Sequence, residues 1–299
     1  MATHRFDPDF TDNVINSMGS KTSPRMRQLM NGLIRHVHDF ARENELTVDE
    51  WMAGMSDNKR NEGQLVCDVI GLESLVDEIT FTLAEEAKDA PTATAILGPF
   101  FRADTPSRSN SDDIVINKPK DGQIAFMHGQ IIDFAKQKPL VGATVEGWEA
   151  STNGLYEQQD PEQDEYNLRG KFQTDADGRY YFYYLRPTPY PVPGDGPAGK
   201  LLALMDRHPF RPTHIHIMVW LIRRIRYIFT ERSTRLLTMA IVLLLPRSLT
   251  ARAYLENESV FAVKDSLVVD FVPCDGDPYA ALELKYDVKL VADTQSDSA

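Results

Sequence analysis

Arg211-Pro-Thr-His-Ile-His-Ile-Met218 is the stretch on which the reading of this chain turns. It reads as a β-strand, and side chains on a strand alternate between faces with period 2. His214 and His216 therefore point to one side and can hold one metal ion between them. A His-x-His strand alone is more often structural than metal-binding, so both readings stand on these residues. Upstream, Arg186-Pro-Thr-Pro-Tyr-Pro-Val-Pro193 sets Tyr190 among prolines that restrict the backbone, a pattern that is usually plain turn chemistry. Further back, Asn153-Gly-Leu-Tyr156 closes another strand-like run. Two neutral imidazoles with two phenolates would form a hard, anionic donor set. Imidazole suits several metals, whereas tyrosinate favours ferric iron.

Around this stretch the chain speaks in short β-branched and aromatic runs punctuated by Pro, Gly and Asp. Candidate strands are Ile124–Asp133, Ala143–Ala150, Arg179–Leu185, Thr213–Val219, Leu267–Val272 and Leu282–Val291. Such a series argues for a mainly β domain, an antiparallel sandwich rather than βαβ units. Before Ala90-Pro91 the grammar is helical. Ser23-Pro24 supplies an N-cap and a first-turn proline. Leu29, Met30, Leu33, Ile34, Val37, Phe40 and Ala41 follow as one apolar stripe at helical spacing. Thr47 and Glu50 form a capping box for a second helix with Trp51, Met52 and Met55. Leu65 to about Ile79 reads as a third helix, with a continuation to Ala87 left open. His36 and His38 lie on different faces of the first helix and read as surface residues. The organisation expected is a helical segment over 1–90, a β-sandwich over 91–291 and a disordered tail over 292–299.

The chain has 299 residues and a net charge of −12, which argues against nucleic acid as a partner, since phosphate binding needs a basic footprint. Two cysteines, Cys67 and Cys274, give neither a disulfide framework nor a Cys-x-x-Cys metal pair. With no apolar core of a signal peptide after Met1, a cytoplasmic location is expected.

The run from Asp177-Gly-Arg-Tyr through the proline cluster to Leu202, continued by Arg207-His-Pro-Phe-Arg-Pro-Thr-His-Ile-His216, resembles the intradiol ring-cleavage dioxygenases, and within them the hydroxyquinol-cleaving members. Supporting segments are Leu97-Gly-Pro-Phe-Phe-Arg-Ala-Asp-Thr-Pro106, Val145-Glu-Gly-Trp148 with Gly154-Leu-Tyr156, and Phe261–Phe271. The resemblance implies a non-haem Fe(III) cofactor on Tyr156, Tyr190, His214 and His216. It implies cleavage of hydroxyquinol (1,2,4-trihydroxybenzene) with O2 to 3-hydroxy-cis,cis-muconate, the enol of maleylacetate, with catechol or chlorocatechol as alternative substrates. Tyr190 would be the tyrosinate that the diol displaces and that takes up a proton. Arg211 would stabilise negative charge on the bound ring, against the plainer reading of a structural salt bridge. Asp77, Ile96, Leu97, Pro99, Val192, Pro193 and Val260 would wall the pocket. Asp77 would accept the third hydroxyl, unless it is a charge on an exposed helix face. The helical segment would form a homodimer contact, with lipid at the seam.

Residues 220–253 depart from that family. They hold seven arginines, no lysine, one acidic residue and no glycine in an otherwise acidic chain. The apolar run Leu236–Leu245 is ten residues long, too short to span a membrane. A basic amphipathic insertion is one reading. A mistranslated stretch, a retained intron or paired frameshift, is the favoured one, because family-like sequence flanks the segment on both sides. A catalytically impaired homologue is then an alternative function, since the family's pocket glutamine has no counterpart here. Smaller departures are Ala135-Lys136, where a turn Asp-Gly is usual, and Gly147, where an apolar residue is usual.

Overall fold

A computed structural model describes residues 8–48, 50–51, 62–80, 91–95, 98–211, 213–227, 230–244 and 267–291; from residue 222 to 244 only the backbone is described. Met52, Met55, Ile96, Leu97, Val260 and the tail over 292–299 lie outside the described residues.

The helical segment begins with α1 (Phe10–Asn16) and α2 (Pro24–Glu43). Ser23 caps α2 as its sequence requires, its hydroxyl accepting from the Met26 amide at 3.2 Å. The apolar stripe of α2 splits in two. Met30, Ile34 and Ala41 are buried, while Leu29, Leu33 and Phe40 stay exposed. Thr47 and Glu50 make the capping box: the Thr47 amide donates to the Glu50 carboxylate at 3.0 Å. The single third helix expected over Leu65–Ile79 is two helices, α3 (Glu62–Val69) and α4 (Leu72–Thr80). Gly71 breaks it at φ +76, a left-handed conformation that only glycine adopts freely.

His38 is not a surface residue. It is fully buried, and its ring pins three elements together. Nε2 donates to the Ile70 carbonyl at 2.9 Å and Nδ1 accepts from the Thr11 hydroxyl at 3.0 Å. Burial lowers its pKa, which agrees with that neutral tautomer.

The rest is a two-sheet sandwich. One sheet has β1 (Ile124–Asp133) at its centre, paired with β2 (Lys138–Pro139), β5 (Arg179–Leu185), β11 (Leu282–Lys285) and β12 (Val288–Leu290), with β10 (Val272–Pro273) beyond β11. The other runs β4–β3–β8–β9, from β3 (Thr144–Trp148), β4 (Arg169–Gln173), β8 (His214–Tyr227) and β9 (Thr230–Leu244). A two-stranded ladder, β6 (Tyr190–Pro191) with β7 (Phe210–Arg211), stands apart, and α5 (Pro197–Leu204) lies between them in sequence. Pairing is mostly antiparallel, but β11 and β12 join β1 in parallel. Among the described residues, the strand expected over Leu267–Val272 is a single bridge position at Val268 and the short pairing of Val272–Pro273. Leu267 is buried in the sandwich core, with Val268, Val269 and Phe271 packed against it.

Period-2 alternation builds that core. On β5, Tyr180, Phe182 and Tyr184 are fully buried; on β8, Ile215, Ile217 and Val219 face them. The Phe172 and Phe182 rings stack at 4.5 Å. Gly147 has no side chain because a Cβ there would meet Phe182 Cζ at 3.0 Å, so the phenyl ring fills the place of an apolar residue on β3. The Ala135-Lys136 turn closes on Asp133 instead of an Asp-Gly pair. The Asp133 carboxylate accepts from the Lys136 amide at 3.0 Å and its ammonium at 2.7 Å.

Part of the 220–253 segment continues β8 and returns as β9 in one long hairpin. Their register runs from His214 opposite Leu244 to Tyr227 opposite Thr230, with an irregularity between Val219 and Leu221. β3 accompanies β8 only from His216 to Trp220.

Candidate metal centre

With Ile215, Ile217 and Val219 in the sandwich, β8 turns His214, His216 and Met218 to the outer face of its sheet. Both histidines are buried. In register beside them, β3 places Trp148 opposite His216. The two rings stack at 4.8 Å with planes 4° apart, which fixes the imidazole plane. Gly98 covers the same ring at φ +76; a Cβ there would sit 3.2 Å from His216 Cε1.

Tyr156 arrives from a loop and Tyr190 from the β6–β7 ladder. Tyr156 is fully buried, stacked on Phe100 at 4.4 Å. Tyr190 crosses so close to Gly154 that a Cβ would lie 2.6 Å from its own, and Gly154 takes φ +80. The polar atoms then converge. Tyr156 OH lies 3.2 Å from Tyr190 OH, which lies 3.2 Å from His214 Nε2. The His214 and His216 ring centres are 5.0 Å apart. Residues 34 and 24 positions apart thus meet in one buried cluster of two phenols and two imidazoles.

Burial sets the protonation of these donors. Burial drives the His216 pKa well below its usual value, so the imidazole is neutral and its nitrogen is free of a proton to exclude a metal. Burial, then Tyr190, pushes the Tyr156 phenol well above its usual range, so a phenolate needs a cation beside it. Two phenolate oxygens and two neutral nitrogens match the hard, anionic set that ferric iron takes. Among the described residues no cluster of three His, Cys, Asp or Glu offers a rival metal site. Both cysteines are free, and burial pushes the Cys67 thiol up to about 12.

Arg211 pairs with Tyr190 across β6 and β7. Burial opposes its charge, but Tyr190, Asp68 and Tyr156 outweigh burial and raise its pKa. Its guanidinium is 3.8 Å from the Asp68 carboxylate on α3. The other expected wall residues are scattered. Pro99 follows the glycine that covers His216. Val192 is buried in the helical core, its amide donating to the Pro209 carbonyl at 2.8 Å, and the Pro193 carbonyl lies against Gly199. Asp77 is buried rather than on an exposed helix face, and its carboxylate accepts from the Thr94 hydroxyl at 3.0 Å.

Three residues of this neighbourhood carry no signal in the sequence. Asp68 and Glu73 meet Arg211 only because Gly71 folds α3 and α4 together. Burial, then Asp68, pushes the Glu73 carboxyl up to about 8. Arg169, on β4, is fully buried beside Tyr156, its guanidinium 5.8 Å from the ring centre.

Comparison with known proteins agrees with this architecture. The family model "Catechol dioxygenase N terminus" matches residues 23–88, and the model "Dioxygenase" matches residues 96–292. The intradiol ring-cleavage dioxygenase prcA of Aspergillus niger is 46% identical over 97% of this chain and 90% of its own length. The chain belongs to the intradiol ring-cleavage dioxygenases. The catechol 1,2-dioxygenase of Candida albicans is 42% identical, covering 96% of this chain and 92% of its own. The crystal structure of hydroxyquinol 1,2-dioxygenase from Pseudomonas putida DLL-E4 superposes with a TM-score of 0.65 at 32% identity, over 95% of this chain and 97% of that one. As an intradiol dioxygenase of this fold, the chain pairs a β-sandwich with an N-terminal helical segment. None of its described helices is long and apolar enough to cross a membrane.

Proposed function

We propose that this intradiol dioxygenase holds Fe(III) on Tyr156, Tyr190, His214 and His216, and cleaves hydroxyquinol with O2 to 3-hydroxy-cis,cis-muconate. The observation that carries the reading is the buried chain of Tyr156 OH, Tyr190 OH and His214 Nε2 at successive 3.2 Å separations. Ferric iron there would act as a Lewis acid and template for an ortho-diol. The protein's own groups do the rest. Tyr190 sits between the other donors, on a two-stranded ladder rather than in the sandwich, so its oxygen, as phenolate, is the one suited to move and take a substrate proton, becoming the phenol. Arg211, on the partner strand of that ladder and paired with Asp68, supplies a fixed positive charge for the ring as it loses its protons. Phe100, Trp148 and Gly98 close the cluster against water.

A third hydroxyl needs an acceptor in the wall. Asp68, partly exposed and already oriented by Arg211, is better placed for it than Asp77, which Thr94 engages. A wall that hydrogen-bonds a hydroxyl discriminates strongly against the analogue lacking it. Catechol is the second reading, favoured by the Candida albicans relative. We further infer a homodimer through the exposed Leu29, Leu33 and Phe40 of α2, with lipid at the seam. Light scattering of the purified protein tests that assembly, and a monomer would refute it.

The functional test is the visible spectrum of iron-loaded protein under anaerobic hydroxyquinol or catechol, followed by turnover in air. A tyrosinate-to-iron band that shifts with substrate is expected, with kcat/KM higher for hydroxyquinol. Higher kcat/KM for catechol would overturn the substrate. A folded protein that stays colourless after loading would overturn the iron site and leave a non-catalytic homologue.

A further inference from the structure

We propose that Arg169 is a positioning residue for Tyr156, holding the turn that carries it and setting the electron-donating strength of its phenolate from the side away from the reactants; this rests on the iron-binding reading above. Arg169 is fully buried on β4, where it pairs with Trp148, the residue stacked on His216. Its guanidinium lies 5.8 Å from the centre of the Tyr156 ring. Nε donates to the Glu157 carboxylate at 2.6 Å, and the Nη2 arm donates to the Gln158 side-chain oxygen at 3.0 Å. Three consecutive residues, Tyr156, Glu157 and Gln158, are thus organised by one cation. The Nη1 arm, also buried, has no hydrogen-bond partner among the described residues. Its counter-charge Glu157 is also shared with Arg102 at 3.4 Å, so the Arg169 charge is incompletely neutralised, and a structural cross-link alone does not require that. Removing a charge from water without full pairing is costly, and groups held at that cost cluster at functional sites.

Positive charge near a phenolate lowers the energy of its donor electrons and raises the energy of phenolate-to-iron charge transfer. Removing that charge should move the band to longer wavelength. Glu157, the counter-charge, should act with the opposite sign. The experiment is the visible spectrum of iron-loaded wild type, Arg169→Gln, Arg169→Lys and Glu157→Gln, with iron content and melting temperature measured alongside. Arg169→Gln is expected to red-shift the band by on the order of 20 nm, from a Coulomb interaction across this distance in a protein interior. Arg169→Lys should shift it less, and Glu157→Gln should shift it to the blue. An unmoved band in Arg169→Gln, or shifts of one sign in Arg169→Gln and Glu157→Gln, overturns the proposal in favour of a structural tie. If Arg169→Gln does not fold, Glu157→Gln decides, an unshifted or red-shifted band overturning the proposal. A wild type with no band at all sinks the iron-binding reading instead, so the two failures are distinguishable.

Discussion

The near and far ends of β8 make an instructive pair. From His214 to Trp220 the strand has a neighbour on each side for most of its length, β3 and β9, and two packed faces. Ile215, Ile217 and Val219 go into the sandwich, and the histidines go against Trp148, Gly98 and the tyrosines. Beyond Trp220 the pairing with β3 ends, and β8 is matched only by β9. The irregular register between Val219 and Leu221 marks the junction. A strand held by two ladders and two packed faces has its side-chain directions dictated. A two-stranded extension does not transmit its own irregularity backwards. The unusual Arg-rich stretch therefore lengthens the sheet beyond Trp220 and, through Met239–Leu244, also supplies one of the two ladders beside the histidine pair.

That contrast can be broken from its stronger end. His214→Ala and Tyr156→Phe should each abolish the phenolate-to-iron colour and reduce ring cleavage to background. A coloured, fully active Tyr156→Phe protein would remove it from the ligand set. Arg211→Ala should keep the iron and its colour while lowering kcat by about 10²–10³, the scale of losing one preorganised charge-stabilising group. Stopped-flow turnover with parallel metal analysis separates that outcome from lost iron. On the core face, Ile217→Ala should cost about 2–5 kcal/mol in denaturant unfolding, with the spectrum of the folded fraction unchanged.

A smaller effect is expected from Glu73→Gln. The Glu73 carboxyl is raised from 4.5 to about 8, with burial as the leading cause and Asp68 next. The native state then holds a proton that the unfolded chain has already released, so stability should fall as pH rises between those two values. The glutamine variant should flatten that decline in melting temperature; an equal decline would mean that other groups carry it. The smallest effect is expected at the far end of the hairpin. Replacing Ile222–Arg235 by a short Asn-Gly turn should leave iron content and colour unchanged, because β3 pairs with none of the removed residues. Loss of iron on that deletion would show that the extension supports the site after all.

Much of this was legible in order along the chain. Ser23, Thr47 and Glu50 announced their caps, because capping is decided within four residues. The strand over Arg179–Leu185 has the expected bounds, since alternation with aromatic residues is a local pattern. The short β4 was not anticipated, because Arg169-Gly-Lys-Phe-Gln173 carries a buried arginine where alternation calls for apolar residues. The helix expected over Leu65–Ile79 is two helices, because Gly71 takes a left-handed conformation that the apolar periodicity on either side does not reveal.

By itself the sequence determined the period-2 placement of His214 beside His216, the mainly β grammar after Pro91 and the presence of two phenols in constrained turns. These depend on spacings of a few residues. Only the tertiary structure decided which phenol touches which imidazole, that His38 is a buried pin, and that Asp68 reaches Arg211. It alone put Arg169 behind Tyr156 and gave the space left by Gly147 to Phe182. Each of these joins residues far apart in the chain, where burial and exclusion of water select the partner and local pattern carries no trace of it.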